Sequence, residues 1–386
     1  MSLIDGEPDR RYYAGVREAA WQAMAIATRE GATVSETRDR SVTAKKDTVQ
    51  NIANIVTVEE VSAKEDPMQS EMSGVLEILR GPLPSDSVLE FIVSEEGYKQ
   101  IIKEREKSNR RYRVWYDGES QKVTINCCPS YLHERTSVMV IDSMVDEAVR
   151  VMRNAGVSNH VISRIQNAGH LTTSTISRRQ SYKEPDGLII FDDDESLDTS
   201  RIAFELGFSQ SYLCLRQATL WWIEQKEATV AMLLCLTEVD KNSGAAHRVF
   251  RTIEDRNAEM QTCLIEFNRQ RRVEHRTLGP LEYNGYKWFG TLRDAFFETY
   301  RETDAGIVKS EPVHLVKDGV DITDVIPRDL TVKVGDFVPS NWLNDDAVRQ
   351  LGVNFLQPQT FMEGLSSAIV RTALNRVKDT FKVEGD

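Results

Sequence analysis

Apolar residues recur along this chain with two different periods, and the changes between them mark its elements. Tyr13, Val16, Ala20, Met24 and Ala27 follow a helical spacing and predict a helix over 10–30. Residues 31–73 are rich in Thr, Ser, Lys, Asp and Glu and read as loop, broken by Asn51-Ile52-Ala53-Asn54-Ile55-Val56. A helix with Lys99, Lys103, Arg105 and Lys107 on its surface is expected over 94–109. The period then shortens to two. Arg111 to Tyr116 and Lys122 to Asn126 alternate as strands, and Asp117-Gly118 is a hairpin signal between them. Pro129-Ser130 ends the hairpin and offers a helix cap. Val138, Ile141, Val145, Val149 and Met152 return to helical spacing, with Glu134 one turn before Val138 on the same stripe.

The middle of the chain is the most legible part. Asp186, after Pro185, opens the apolar run Leu188-Ile189-Ile190-Phe191, and the acidic loop Asp192-Asp193-Asp194-Glu195 follows. A second run, Ile202-Ala203-Phe204, delivers Glu205, and Gly207 closes it. Ser209 or Ser211 caps a helix from Tyr212 to Gln225, on which Gln210, Leu213, Gln217, Leu220 and Glu224 share one broad face. Ala228 to Leu236 is apolar throughout and short, as a central strand is. The expected fold is one mixed sheet of strands 111–116, 122–127, 186–191, 201–207 and 229–238, with helices 131–153 and 210–226 packed on it. Further on, 259–290 mixes strand-like runs with the basic residues Arg269, Arg271, Arg272 and Arg276. Trp288 to Tyr300 resembles an amphipathic helix, 311–339 alternates around an Asp318-Gly319 turn, and 359–380 is helical.

Composition narrows the classes. The 386 residues suffice for one large domain or two ordinary ones, and 40% hydrophobic residues allow a sizeable core. A net charge of -12 argues against coating nucleic acid through bulk charge, though a local basic groove stays open. Cys127, Cys128, Cys214, Cys235 and Cys263 are odd in number and form no CxxC pair, so neither a disulfide framework nor structural zinc is expected. The first residues are polar and acidic, and no apolar run approaches the ~18 residues of a membrane span. The expectation is a soluble intracellular protein of cytoplasm or nucleus, without membrane contact.

Asp186 and Glu205 are the leading chemical candidates. Two carboxylates at equivalent ends of neighbouring strands suit Mg²⁺, which binds through one or two carboxylates plus substrate phosphates. The structural alternative for Asp186 is a turn residue after proline. Glu205 ends an apolar strand, where a buried carboxylate needs a partner or a metal. For Glu134 the alternative is a charge favouring a helix N-terminus. Arg178, Arg179 and Lys183 either meet phosphates or form a solvated strand end. Asp192 to Glu195 reads as a solvated loop, His133 as structural, and Trp221 and Trp222 as packing.

Pro185-Asp186, Phe204 to Tyr212, the helix carrying Trp221-Trp222 and the apolar strand after it resemble a fungal group of the PD-(D/E)XK restriction-endonuclease-like superfamily, similar to bacterial Uma-type endonuclease-like domains. Pro129 to Glu134 is similar to the start of that group's first core helix. The likeness covers roughly 111–240 and extends weakly to about 340, near Asp336-Phe337-Val338-Pro339. It implies an α/β fold with a restriction-endonuclease-like mixed sheet flanked by helices. On that reading 1–95 is an N-terminal extension, 96–300 the core domain and 301–386 a C-terminal elaboration.

The resemblance further implies Glu134, Asp186 and Glu205 as catalytic and metal-binding residues, with Mg or Mn as cofactor. The metal would lower the pKa of a bound water and offset charge on the scissile phosphate. The lysine of the pattern falls at Gly207, which has no side chain. The following helix supplies Gln217, which can orient a water, and Arg216, a poor proton shuttle that can meet nucleic acid. Three functions follow. One is a metal-dependent nuclease cleaving phosphodiester bonds of DNA or RNA. Another is a catalytically inactive interaction module on the same fold. The third is a small-molecule hydrolase using the same carboxylates. Nucleic acid is the partner the first implies; a protein partner or self-association is unreadable from sequence.

Overall fold

The computed structural model describes residues 67–81, 88–107, 112–127, 130–169, 173–174, 181–193, 196–208, 210–240, 248–325 and 332–384. The expected helix over 10–30, Arg178, Arg179, Asp194 and Glu195 lie outside the described residues.

In chain order, α1 (Pro67–Arg80), β1 (Val88–Ile92), α2 (Glu95–Lys107), β2 (Tyr112–Asp117) and β3 (Lys122–Cys127) come first. Next are α3 (Tyr131–Asn154), β4 (Ile165–Gly169), β5 (Thr173–Ser174), β6 (Tyr182–Lys183), β7 (Gly187–Asp193) and β8 (Ser196–Phe208). Then follow α4 (Tyr212–Glu224), β9 (Val230–Val239), β10 (Arg248–Phe250), α5 (Ile253–Val273), β11 (Leu281–Tyr283) and β12 (Tyr286–Phe289). The chain continues with β13 (Thr291–Thr303), β14 (Gly306–Lys309), β15 (Val313–Lys317), β16 (Val320–Asp321), α6 (Pro358–Thr380) and β17 (Phe381–Val383).

The molecule is a mixed α/β protein with a large mixed sheet flanked by helices. That sheet has eight strands, with β16, β15, β13, β9, β8, β7 and β4 side by side and β14 paired to β13. β7 and β8 are antiparallel, whereas β8 and β9 are parallel and joined through α4. Strand alternation gives the sheet two apolar faces. Ile189, Phe191, Ile202, Phe204 and Leu206 join the core that contains residues of α3 and α6. Leu188, Ile190, Ala203, Leu233 and Cys235 face Leu215, Trp222 and Ile223 of α4.

The local signals for the central elements hold. Ser130 caps α3 by accepting the His133 N–H, and Ser211 caps α4 by accepting that of Cys214. Asp318 and Gly319 both have positive φ in the β15–β16 turn, the conformation that the Asp-Gly pair supplies. Among the described residues, no helix is long and apolar enough to cross a membrane.

Several expectations give way. β2 and β3 do not join the large sheet. They form a separate five-stranded sheet in the order β1-β3-β2-β6-β5. Their inward residues Tyr112, Val114, Tyr116, Val123 and Ile125 bury against Val75, Leu79, Tyr98 and Ile101 of α1 and α2, so the hairpin has its own core. The expected boundary at 95 separates β1 from its partner β3. The one at 300 falls inside β13, which pairs with β9 along ten positions.

Trp288 to Tyr300 is strand, not helix. A bulge between Leu292 and Asp294 sets Leu292 and Ala295 three residues apart on one buried face, and this imitates a helical spacing. The strand-like mixture at 259–290 begins as helix α5. Only Cys263, Phe267 and Gln270 of α5 are buried, a stripe too narrow to stand out among its charges.

Candidate functional site

The candidate residues meet where β7 begins, and there the chain does something a strand seldom does. β7 and β8 pair from Gly187 opposite Phe204, so continuing the register sets Asp186 opposite Glu205 and Pro185 opposite Leu206. Proline has no N–H, so it cannot continue the ladder. Side chains take over. The Leu206 N–H donates to Asp186 Oδ2 at 2.6 Å, and His133 Nε2 lies 3.0 Å from the Leu206 carbonyl. His133 Nε2 is also 3.1 Å from Asp186 Oδ2. Both neighbours of this nitrogen are acceptors, so Nε2 is the one that carries the proton. Asp186 and His133 therefore finish the sheet edge that Pro185 interrupts.

Glu205 lies on the α4 face. Its Oε1 receives the Trp222 indole N–H at 2.6 Å and the Lys183 ammonium at 2.7 Å. Lys183 also donates to the Ala218 carbonyl of α4. Its Nζ sits 4.8 Å from the Trp222 ring centroid and 5.6 Å from that of Trp221. Lys183, Glu184, Asp186 and Glu205 retain 0, 4, 3 and 5% of their exposure, so four charged residues are buried together. Unpaired charges in such a place are very costly, which favours the Lys183–Glu205 and His133–Asp186 contacts.

The geometry places the other expected residues as follows. Lys183, expected among phosphate-facing residues, is wholly buried and ties β6 of the small sheet to β8 of the large one. Gln217 and Arg216 are exposed, and no hydrogen bond or ion pair joins either to Asp186 or Glu205. The expected functional face of α4 points outward. Leu215, Ala218, Thr219, Trp222 and Ile223 are the residues that face inward. Glu134 is half-buried on α3, and its neighbour His133 is the residue of that turn that reaches Asp186.

The space where the lysine of the pattern would stand is filled. A Cβ on Gly207 would lie 2.6 Å from Leu215 Cδ2. Tyr212, in the same motif, donates to the buried Glu298 on β13, which also accepts from Tyr300 and Lys309. Burial and this carboxylate push the Tyr300 hydroxyl pKa upward.

A divalent cation at Asp186 Oδ2 or Glu205 Oε1 would compete with donors already in place. Asp186 Oδ2 and Glu205 Oε1 each already hold two donors, and a cation on Glu205 Oε1 would face an ammonium on the same atom. Among the described residues, no group of three or more His, Cys, Asp or Glu side chains is placed to hold a metal ion. The arrangement is chemically suited to holding two sheets and two helices in register.

Sequence reasoning missed Lys183, His133 and Trp222 as the partners. The signal for Trp222 was present in the stripe Leu215, Ala218, Thr219, Trp222, Ile223, the more apolar phase of the helix. Comparison with known proteins returned no match among family models, curated proteins or solved structures.

Proposed function

We propose that this chain is a restriction-endonuclease-like module whose carboxylates are committed to structure and which acts by binding rather than by cleaving phosphodiesters. One observation carries the reading: the Glu205 carboxylate holds the buried Lys183 ammonium and the Trp222 N–H. The fold assignment is supported by the order of helix α3, Asp186 at β7 and Glu205 on β8. The net charge of -12 favours a protein partner over nucleic acid.

The test combines calorimetric titration of Mn²⁺ with incubation of single- and double-stranded DNA and RNA in Mg²⁺ or Mn²⁺. We expect no cleavage, and Mn²⁺ heats indistinguishable from those of an Asp186→Ala/Glu205→Ala protein. Metal-dependent cleavage that disappears in Asp186→Asn would overturn the proposal. It would favour the nuclease reading, whose support is the opposed register of Asp186 and Glu205 across β7 and β8. In that reading Lys183 would be the cation that Gly207 cannot supply.

A further inference from the structure

Away from these carboxylates, three arginines converge on a one-turn helix, Val334–Phe337. Arg201 comes from β8 at a bulge, where Ile189 pairs with Ile202 but Ile190 pairs with Ser200. The extra residue is Arg201, and a bulge re-aims the side chain it carries. Its Nε donates to the Asp336 carbonyl at 3.2 Å and its Nη2 to the Gly335 carbonyl at 3.1 Å. Arg301, two strands away on β13, pairs with the Asp336 carboxylate through Nη2 at 2.6 Å and Nε at 3.3 Å. Arg349 ends the one-turn helix Asp346–Arg349. A Cβ on Gly335 would lie 3.4 Å from Arg349 Cβ and 3.6 Å from its Nε, so this guanidinium is packed against the same turn.

The charges do not balance. Among the described residues, three guanidinium ions gather around one carboxylate, in a chain that is acidic overall. Asp336 is already engaged twice, by Arg301 and by the Lys333 backbone N–H at 2.7 Å. Arg201 bonds only to carbonyls here, and its pKa is lowered chiefly by burial, with Asp336 opposing that shift and Arg349 adding to it. Arg349 Nη1 is buried without a hydrogen-bond partner, and no carboxylate among the described residues pairs with Arg349. Asp345, one turn earlier, accepts the backbone N–H groups of Ala347 and Val348. Buried arginine hydrogens without an acceptor are costly, and an oxyanion is what the fork geometry of guanidinium recognises.

We infer that Arg201, Arg301 and Arg349 form a binding site for a phosphate-type dianion. The excess of two positive charges among the described residues matches a phosphomonoester, which carries close to two negative charges at neutral pH. A single carboxylate would leave half the excess uncompensated. The site is independent of Asp186 and Glu205 and stands whether or not those residues act on phosphodiesters.

The experiment is calorimetric titration of the full chain with inorganic phosphate and, separately, with adenosine 5′-monophosphate, against potassium chloride at matched ionic strength. Saturable phosphate binding is expected, weakened at least tenfold by Arg349→Met and less by Arg349→Lys. Arg349→Met should fold normally, since Nη1 has no partner to lose, and circular dichroism checks this. Tighter binding of the nucleotide would identify a nucleotide phosphate as the source. Binding of inorganic phosphate alone would identify the free ion. Phosphate heats no different from chloride, or affinity unchanged in a folded Arg349→Met protein, would overturn the site.

Discussion

Replacing Lys183 by methionine isolates the buried ion pair from the packing around it. Methionine keeps most of the aliphatic stem between Trp221 and Trp222 and removes only the ammonium. The loss has two parts. The Ala218 carbonyl loses a charged donor, and hydrogen bonds to charged groups contribute about 1.5–3 kcal/mol. Glu205, 5% exposed, is left with the Trp222 N–H as its remaining donor of this pair. Breaking a buried pair from one side costs about 3–5 kcal/mol, because it strands the other charge. The two parts overlap, so Lys183→Met should cost about 3–5 kcal/mol in total. Glu205→Gln strands the ammonium and should cost a similar amount. The double variant strands neither charge and should cost well under the sum, with a coupling of at least about 2 kcal/mol. The assay is urea unfolding of the four proteins followed by far-UV circular dichroism, with slopes compared to confirm that one transition is measured. Single losses below about 1 kcal/mol that simply add would show that Lys183 and Glu205 are not coupled. The Lys183–Glu205 contact would then not be what holds the two sheets together.

Two other outcomes follow from the geometry. Gly207→Lys, which writes the residue of the resemblance back into the strand, should destabilise the fold by about 1–3 kcal/mol through overpacking against Leu215, and should confer no Mn²⁺ binding. Stability equal to wild type by urea unfolding would refute the crowding argument. On α5, Arg269 and then Gln270 hold the Glu266 carboxyl down at about 2. A carboxyl depressed in the fold stabilises above its ordinary pKa of 4.5, and that contribution is lost as pH falls through about 2. The pair is partly solvated, so the deficit of Glu266→Gln at pH 7 should stay below about 1 kcal/mol. It should shrink between pH 4.5 and 2; a deficit constant over that range would contradict the assignment.

The central elements were readable because their signals are local. Serine caps, the continuous apolar run of β9 and the apolar run after Asp186 each involve residues near in sequence. The errors arose where the pattern is made by distant partners. The bulge near Leu292 in β13 gives a helix-like spacing only because β9 pairs across it. β2 and β3 have the composition of strands in any sheet, and α1 and α2 decide which core they join. At the site, the carboxylates were legible and their partners were not. Lys183 looked like one of several basic residues before Asp186. What buries it is the approach of α4, which brings the Ala218 carbonyl and Trp222 from more than thirty residues away. The helix phase was the recoverable part, since Gln217 lies on the more polar side of α4.

The residues that suggest a metal site are also those that a closed sheet edge requires, and this explains why the motif alone does not decide function. Pro185 stops the β7–β8 ladder, leaving the Leu206 N–H and carbonyl without backbone partners from β7. A carboxylate one residue after the proline has the reach to accept the N–H, and a histidine on the facing helix supplies the donor. Glu205, one residue before Leu206, then points to the opposite side of its strand. That side is sealed by α4 and needs a cation. Mg²⁺ or Mn²⁺ from solvent would be one solution and an ammonium on the same chain is another. In the reading proposed here the second holds, with Lys183 three residues before Asp186 on the neighbouring small sheet. The identity of that cation is what separates a site able to activate water from one that only holds the sheets together. It is therefore Lys183, rather than either carboxylate, on which the functional assignment turns.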